Sequence, residues 1–330
     1  MNNANQPDVS FVIVSFNTRE LLRECLNSLY ERCAGITMEV FVVDNVSRDG
    51  SADMVAQDFP AVRLIRSDTN LGFAAANNRA MPLCKGRYVV LLNSDAFLHP
   101  EAIQRSIQYM DAEPKIGLGG ARLVGRDGSW QPSSRMFPSF LNDFLTLSGL
   151  ADKYPASRFF GRFNRTWADP NQAADVDWVP GAFSIIRRSV LEQVGYFDEI
   201  FFLYYEEVDL CRRIKRAGYL VRYWPDVVVT HLGGESSKTV TTLTFSRSGS
   251  QLTLWRMRSA LLYYRKHHGA GAWLVKEMEQ VWHSLRAWKN SRSSDPNRLR
   301  KAEDSGVMAR LMQQAWRETS GGGISPARPW

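Results

Sequence analysis

Short apolar runs alternate with helical segments over the first third of the chain, and that alternation restricts the fold more than any other feature. Ser10-Phe-Val-Ile-Val-Ser15, Glu39-Val-Phe-Val-Val-Asp44, Val62-Arg-Leu-Ile-Arg66 and Tyr88-Val-Val-Leu-Leu92 read as buried strands. The intervening stretches carry apolar residues at helical spacing, such as Leu21, Leu22, Cys25, Leu26 and Leu29, with Asn17 or Thr18 as the cap. Strands joined by helices predict an α/β fold: a Rossmann-like, mainly parallel twisted sheet flanked by helices, with right-handed crossovers. A helix over Pro100 to Met110, a strand over Ile116 to Val124 and a turn at Arg126 to Ser129 extend the pattern.

Ligands of such sheets gather beyond the carboxyl ends of the strands. Asp44 ends the second run; Asn93 and Asp95 follow the fourth, and an acid placed there is a candidate for holding a metal or a phosphate. A strand-ending turn with no ligand accounts for Asn93 and Asp95 equally well. Between Trp130 and Asp177 the periodicity fades, as in a functional loop. Strand then returns over Trp178 to Arg187, and helix over Arg188 to Val194.

An aromatic run, Phe201 to Tyr205, precedes Glu206, Glu207 and Asp209. Acids in the first turn of a helix suit its macrodipole, which explains their sign but not the aromatic wall before them. Tyr219 to Trp224 and Val227 to Thr230 read as further strands and lead to His231, Gly233 and Gly234.

The 330 residues, 44% hydrophobic and 23% charged, belong to a folded chain, and the net charge of +7 favours an acidic partner. Four cysteines without a C-x-x-C pair indicate buried thiols rather than zinc or disulfides. The start of the chain does not look like a signal peptide and no apolar run reaches spanning length. The expected location is therefore the cytoplasm, free or peripheral on the inner face of the plasma membrane. Ser15-Phe-Asn-Thr18 lacks the glycines of a dinucleotide site, and there is no P-loop.

In combination and order, Val14-Ser-Phe-Asn17, Val43-Asp-Asn45, Asn70-Leu-Gly-Phe-Ala74 with Asn77 and Asn78, Leu92-Asn-Ser-Asp95, Tyr205-Glu-Glu-Val-Asp-Leu210 and His231-Leu-Gly-Gly234 form a specific set. Over roughly residues 9 to 270 the chain resembles the inverting family 2 glycosyltransferases of the GT-A fold, and within them the bacterial rhamnosyltransferase-like branch. The resemblance implies a nucleotide-sugar donor (a dTDP- or UDP-sugar, with dTDP-rhamnose favoured), a glycan or lipid-linked glycan acceptor, and a divalent cation, Mg²⁺ or Mn²⁺. It implies donor contacts at Ser15, Asn17, Asp44, Asn45, Asn70, Gly72, Asn77 and Asn93. Asp95 and His231 become the metal ligands. Glu207 becomes the general base, with Glu206 as the competing assignment and Asp209 as a supporting acid, and Ser236 and Lys238 become candidate phosphate contacts. Asn93 stands where many relatives carry an acid, which leaves the metal one carboxylate fewer.

The expected division is a catalytic domain over 1–250 (nucleotide-sugar binding about 9–125, acceptor and base region about 126–250), an amphipathic helical extension over 251–290, and a partly flexible tail over 291–330. From Trp255 to Lys301 there are eleven Lys and Arg against three acids. Leu274, Met278, Val281, Leu285 and Trp288 share one helix face. That face suits an anionic membrane, and equally the catalytic domain or a second subunit in a homo-oligomer. A catalytically silent nucleotide-sugar-binding or scaffold protein of the same fold is the alternative to an enzyme. Nucleic-acid binding lacks a recognition motif.

Overall fold

The computed structural model describes residues 6–233 and 247–326. They divide into two compact units. The first comprises residues up to Phe137, Arg162–Glu199 and Glu206 onward through the last sheet strand; the second comprises Pro138–Gly161, Ile200–Tyr205 and the C-terminal helices. Two of the expected boundaries change. The segments 138–161 and 200–205 join the helices rather than the sheet, and residues 296–318, expected within a tail, form a helix.

The first unit is built on one ten-stranded sheet of order β3-β2-β1-β4-β9-β6-β10-β5, with β7 beside β6 and β8 beside β10. Strands β1 (Val9–Ser15), β2 (Met38–Asp44), β3 (Arg63–Arg66) and β4 (Tyr88–Asn93) are the runs expected from sequence, and they pair in parallel. Register places Ser15 opposite Asp44, and Val14 opposite Asn93, so the polar ends of β1, β2 and β4 share one sheet edge. Their sides are fully buried at Phe11, Ile13, Val42 and Val90, against α1 (Arg19–Arg32), α2 (Ser51–Asp58) and α3 (Gly72–Ala80). This apolar burial is the main stabilising term.

The far half of the sheet is mixed. β9 (Phe183–Arg187) runs antiparallel between β4 and β6 (Ile116–Val124), and it is shorter than the strand expected from Trp178. β10 (Leu220–His231) is one strand with an irregularity between Trp224 and Val228, not two strands. Pro225 lacks an N–H for the ladder and sits at that break. A Cβ on Gly119 of β6 would lie 1.9 Å from the Trp224 ring, so glycine there makes room for the indole. β5 (Ala96–Leu98) was not foreseen: it turns back from Asp95 to pair antiparallel with the end of β10. Pro100 precedes the following helix, α4 (Ala102–Ala112), rather than opening it. β7 (Trp130–Gln131), β8 (Ala174–Val176), α7 (Arg188–Val194) and α8 (Glu206–Arg216) complete this unit.

Thr18 is the N-cap residue of α1 but its side chain makes no cap bond. The Arg19 amide donates instead to Asp49 Oδ2 at 2.8 Å, so a loop thirty residues away caps the helix. This differs from the local capping expected, and it ties the loop after β2 to the loop after β1.

The second unit consists of α5 (Phe140–Leu147), α6 (Leu150–Lys153), α9 (Arg247–His268), α10 (Gly271–Ser291) and α11 (Pro296–Glu318). Trp255, Leu261, Tyr263 and Met312 form its interior. Phe202 packs on Trp255 with ring centroids 4.4 Å apart, and Tyr205 on Tyr263 at 5.3 Å. The aromatic run that precedes Glu206 thus supplies part of the helical core. All four cysteines are buried and free, as expected. Among the described residues no helix is long and apolar enough to cross a membrane.

Candidate active site

The shared edge of β1, β2 and β4 is lined by side chains of two kinds, those held by the protein and those left open. Asn17, at φ 53, takes a left-handed conformation that asparagine tolerates. Its Oδ1 accepts from the Arg48 amide at 2.7 Å and its own amide donates to Ser47 Oγ. Asn45 braces the next loop: its Nδ2 donates to Asn70 Oδ1 at 2.8 Å, and its Oδ1 accepts from the Leu71 amide at 2.8 Å. Asn70 Oδ1 also accepts from the amide of Gly72, whose φ of 76 suits glycine. Ser15 is completely buried and bonds Thr18, while the Asn77 Nδ2 donates to Phe73 O within α3. Of the expected donor contacts, then, Ser15 and Asn77 are enclosed, and Asn17, Asn45 and Asn70 shape loops.

Asp44 differs from them. Its Oδ2 accepts from the Ser47 amide at 3.1 Å, whereas Oδ1 is buried and has no hydrogen-bond partner. An orphaned buried acceptor is costly unless a ligand satisfies it. At the end of a parallel strand this is the chemistry of a group awaiting a donor N–H or hydroxyl.

The Asn93-Ser94-Asp95 turn is fixed from three sides. The Asn93 amide donates to Ala182 O, Thr18 Oγ1 donates to Ser94 Oγ at 2.9 Å, and Cys25 Sγ donates to Asn93 O. Asp95 is buried, and its Oδ1 lies 3.5 Å from His231 Nε2. They meet because β5 pairs Ala96, the residue after Asp95, with His231. Gln131 sets the imidazole tautomer. Its Nε2 donates to His231 O at 2.9 Å, which leaves Oε1 to accept from His231 Nδ1 at 3.2 Å. Burial pushes the imidazole pKa down, and the Asp95 carboxylate only opposes that shift. A neutral ring protonated on Nδ1 presents its Nε2 lone pair to a carboxylate oxygen, an arrangement that a cation between them would relieve.

The residues present fit a divalent cation. Asn93 Nδ2 lies 3.5 Å from the same ring nitrogen, and its Oδ1, buried without a partner, is an oxygen that could serve as a third donor. Among the described residues no three His, Cys, Asp or Glu side chains gather. Gly234, Ser236 and Lys238, singled out in the sequence, lie outside the described residues.

α8 carries the acids. Glu206, Glu207 and Asp209 occupy its first turn, where free amides favour negative charge. Asp209 is fully buried and accepts from Arg213 Nε at 2.8 Å; the same guanidinium donates to Val194 O, Gly195 O and Tyr196 O. Asp209 therefore anchors a clamp on the preceding loop. Glu206 is buried, while Glu207 keeps partial exposure.

Sequence reasoning passed over Gln131 and Arg135. The Arg135 guanidinium stacks on Trp178 at 4.9 Å and its Nε donates to Pro132 O. Burial pushes its pKa down and the Glu207 carboxylate counteracts this, so the two charges are neighbours. Both residues fall near or within an aperiodic stretch, and only their polarity among aromatics hinted at them.

A mostly parallel sheet with an acid pair at the strand ends and a carboxylate helix beyond is the GT-A glycosyltransferase architecture. Residues 10–195 match glycosyl transferase family 2, and the chain belongs to that family. The N-acetylglucosaminyl-diphospho-decaprenol L-rhamnosyltransferase of Mycobacterium tuberculosis is 30% identical over 205 residues, covering 59% of this chain and 66% of that protein's length. The dTDP-rhamnosyl transferase RfbF of Shigella flexneri is 28% identical over 260 residues, covering 78% of this chain and 80% of its own. In fold, the chain is similar to the mannosyltransferase PcManGT of Pyrobaculum calidifontis, solved with GDP-Man and Mn²⁺, at a TM-score of 0.57 and 17% identity over 96% of this chain and 88% of that one.

Proposed function

We propose that the protein is an inverting glycosyltransferase that moves L-rhamnose from dTDP-rhamnose to a glycan acceptor carried on a lipid diphosphate. The reading rests first on the Asp95–His231 pair at 3.5 Å, with the orphaned Asn93 Oδ1 beside it. The names of the mycobacterial and Shigella relatives support the sugar and the type of acceptor.

Asp95, His231 and Asn93 would hold the cation, with Gln131 fixing the imidazole. When bound, a divalent cation offsets the charge that develops on a departing nucleoside diphosphate. Asp44 Oδ1 accepts a hydrogen bond from the donor nucleoside. Glu207 removes the proton of the acceptor hydroxyl as its oxygen bonds to the anomeric carbon, while the bond from that carbon to the diphosphate breaks with its electron pair. One displacement inverts the centre, and no covalent enzyme intermediate forms. The Arg135 guanidinium lies near the Glu207 carboxylate and offers it a positive neighbour.

The test is transfer from a panel of nucleotide sugars, with and without Mn²⁺, to a polyprenyl-diphosphate N-acetylglucosamine acceptor. Mn²⁺-dependent thermal stabilisation by dTDP-rhamnose together with turnover supports the reading. Stabilisation by a different nucleotide sugar alone changes the donor, and stabilisation by none sinks the proposal.

A further inference from the structure

The apolar stripe of α10 faces away from the helix packing. Ala272, Val275 and His283 are the buried residues of this helix. Leu274, Val281, Leu285 and Trp288, on the opposite side, are exposed at 47%, 52%, 59% and 57%. A helix in a globular protein ordinarily turns its large apolar residues inward, whereas this stripe faces water. Four large apolar side chains exposed along one helix face mark a docking site.

Charge decides what it docks to. Where α10 ends and α11 begins, Arg286, Lys289, Arg292, Arg298, Arg300 and Lys301 are all exposed, against three exposed acids, Asp295, Glu303 and Asp304. The Arg292 guanidinium lies 3.9 Å from the centroid of the Trp288 ring, so cation and apolar anchor share one place. In a symmetric dimer the same patch meets itself, which would bring two copies of this basic rim into one interface. An anionic bilayer offers apolar depth and negative headgroups together, and long basic side chains reach headgroups while their stems stay in apolar surroundings.

We infer that the outward face of α10 is an interfacial membrane-docking surface, selective for anionic lipid, with Leu285 and Trp288 inserted and the α10–α11 junction on the headgroups. The helix lies in the interface without spanning the bilayer, and the inference goes beyond the transfer reaction, whichever sugar is moved.

Co-sedimentation of the full chain with vesicles of phosphatidylcholine alone, or with about one-third phosphatidylglycerol, tests it. Binding is expected only to the anionic vesicles and is expected to weaken as salt rises. Leu285→Glu combined with Trp288→Glu should lower affinity by about 10-fold or more, which corresponds to ~1.4 kcal/mol. Arg298→Glu with Arg300→Glu should lower it without altering any apolar contact, which guards against misfolding of the first variant. Equal binding to both vesicle types, no binding by the parent chain, or binding unchanged in both variants would overturn the inference. So would a dimer in sedimentation velocity that the Leu285/Trp288 variant converts to monomer while vesicle binding persists.

Discussion

Asp95 Oδ1 and His231 Nε2 stand 3.5 Å apart although Asp95 follows β4 and His231 ends β10, strands that are not neighbours in the sheet. β4 delivers Asp95 and β10 delivers His231; the three-residue strand β5 carries the chain from one to the other. The Asp95–His231 contact is thus a product of the crossing of β5, with Gln131 of β7 accepting from the ring Nδ1.

That dependence makes Gln131 testable. Gln131→Ala should weaken Mn²⁺-dependent binding of a nucleoside diphosphate by about 10- to 100-fold, the usual effect of losing an outer hydrogen bond to a metal-binding histidine. Asp95→Asn should weaken it at least as much. Calorimetric titration with Mn²⁺ present and absent measures both, and variants that bind like the parent would remove Asp95 and His231 from the cation site.

Glu207 and Asp209 are separable. Glu207→Gln should lower kcat by roughly 10²- to 10⁴-fold while donor binding and Tm stay near the parent values. Asp209→Ala leaves the Arg213 guanidinium without its carboxylate and should cost about 3–5 kcal/mol of stability. If Glu207→Gln turns over normally, the base is elsewhere.

Arg135 should reveal itself in a pH profile. Removing a cation beside a carboxylate disfavours its charged form, so the acid limb of kcat/KM in Arg135→Met should move upward in pH. Arg135→Lys should restore part of the shift. A merely structural arginine would lower activity evenly across pH.

In the helical unit, Asp143 is partly buried and its carboxyl accepts from the Tyr264 hydroxyl at 2.5 Å. Desolvation pushes its pKa from 3.8 up to about 7, against the Tyr264 hydrogen bond that lowers it. The folded chain therefore holds a proton that the unfolded chain releases, and stability falls as pH rises from about 4 to about 7. Asp143→Asn keeps an acceptor for Tyr264 and removes the ionisation. It should be more stable than the parent at pH 8 by on the order of 1 kcal/mol, discounting for partial exposure, and equal to it near pH 4. Melting curves at the two pH values decide; an identical pH dependence in both proteins would contradict the assignment.

Sequence by itself determined the strands β1 to β4, because an apolar run bounded by polar residues leaves a chain few other ways to bury itself. It also placed Asp44, Asn93 and Asp95 on one edge, since parallel strands in register end together. Tertiary structure decided the rest. The bonds of Asn17 to the loop after β2 and of Asn45 to the loop before α3 join residues distant in the chain, so the way they shape the site could not be read locally. β5 is too short for a periodic signal, yet it sets the Asp95–His231 contact. The stripe on α10 has the same periodicity whether it faces core, lipid or water. Only the burial of Ala272, Val275 and His283 on the opposite side fixes its direction, because a helix packs by the shape of a face as well as by its hydrophobicity.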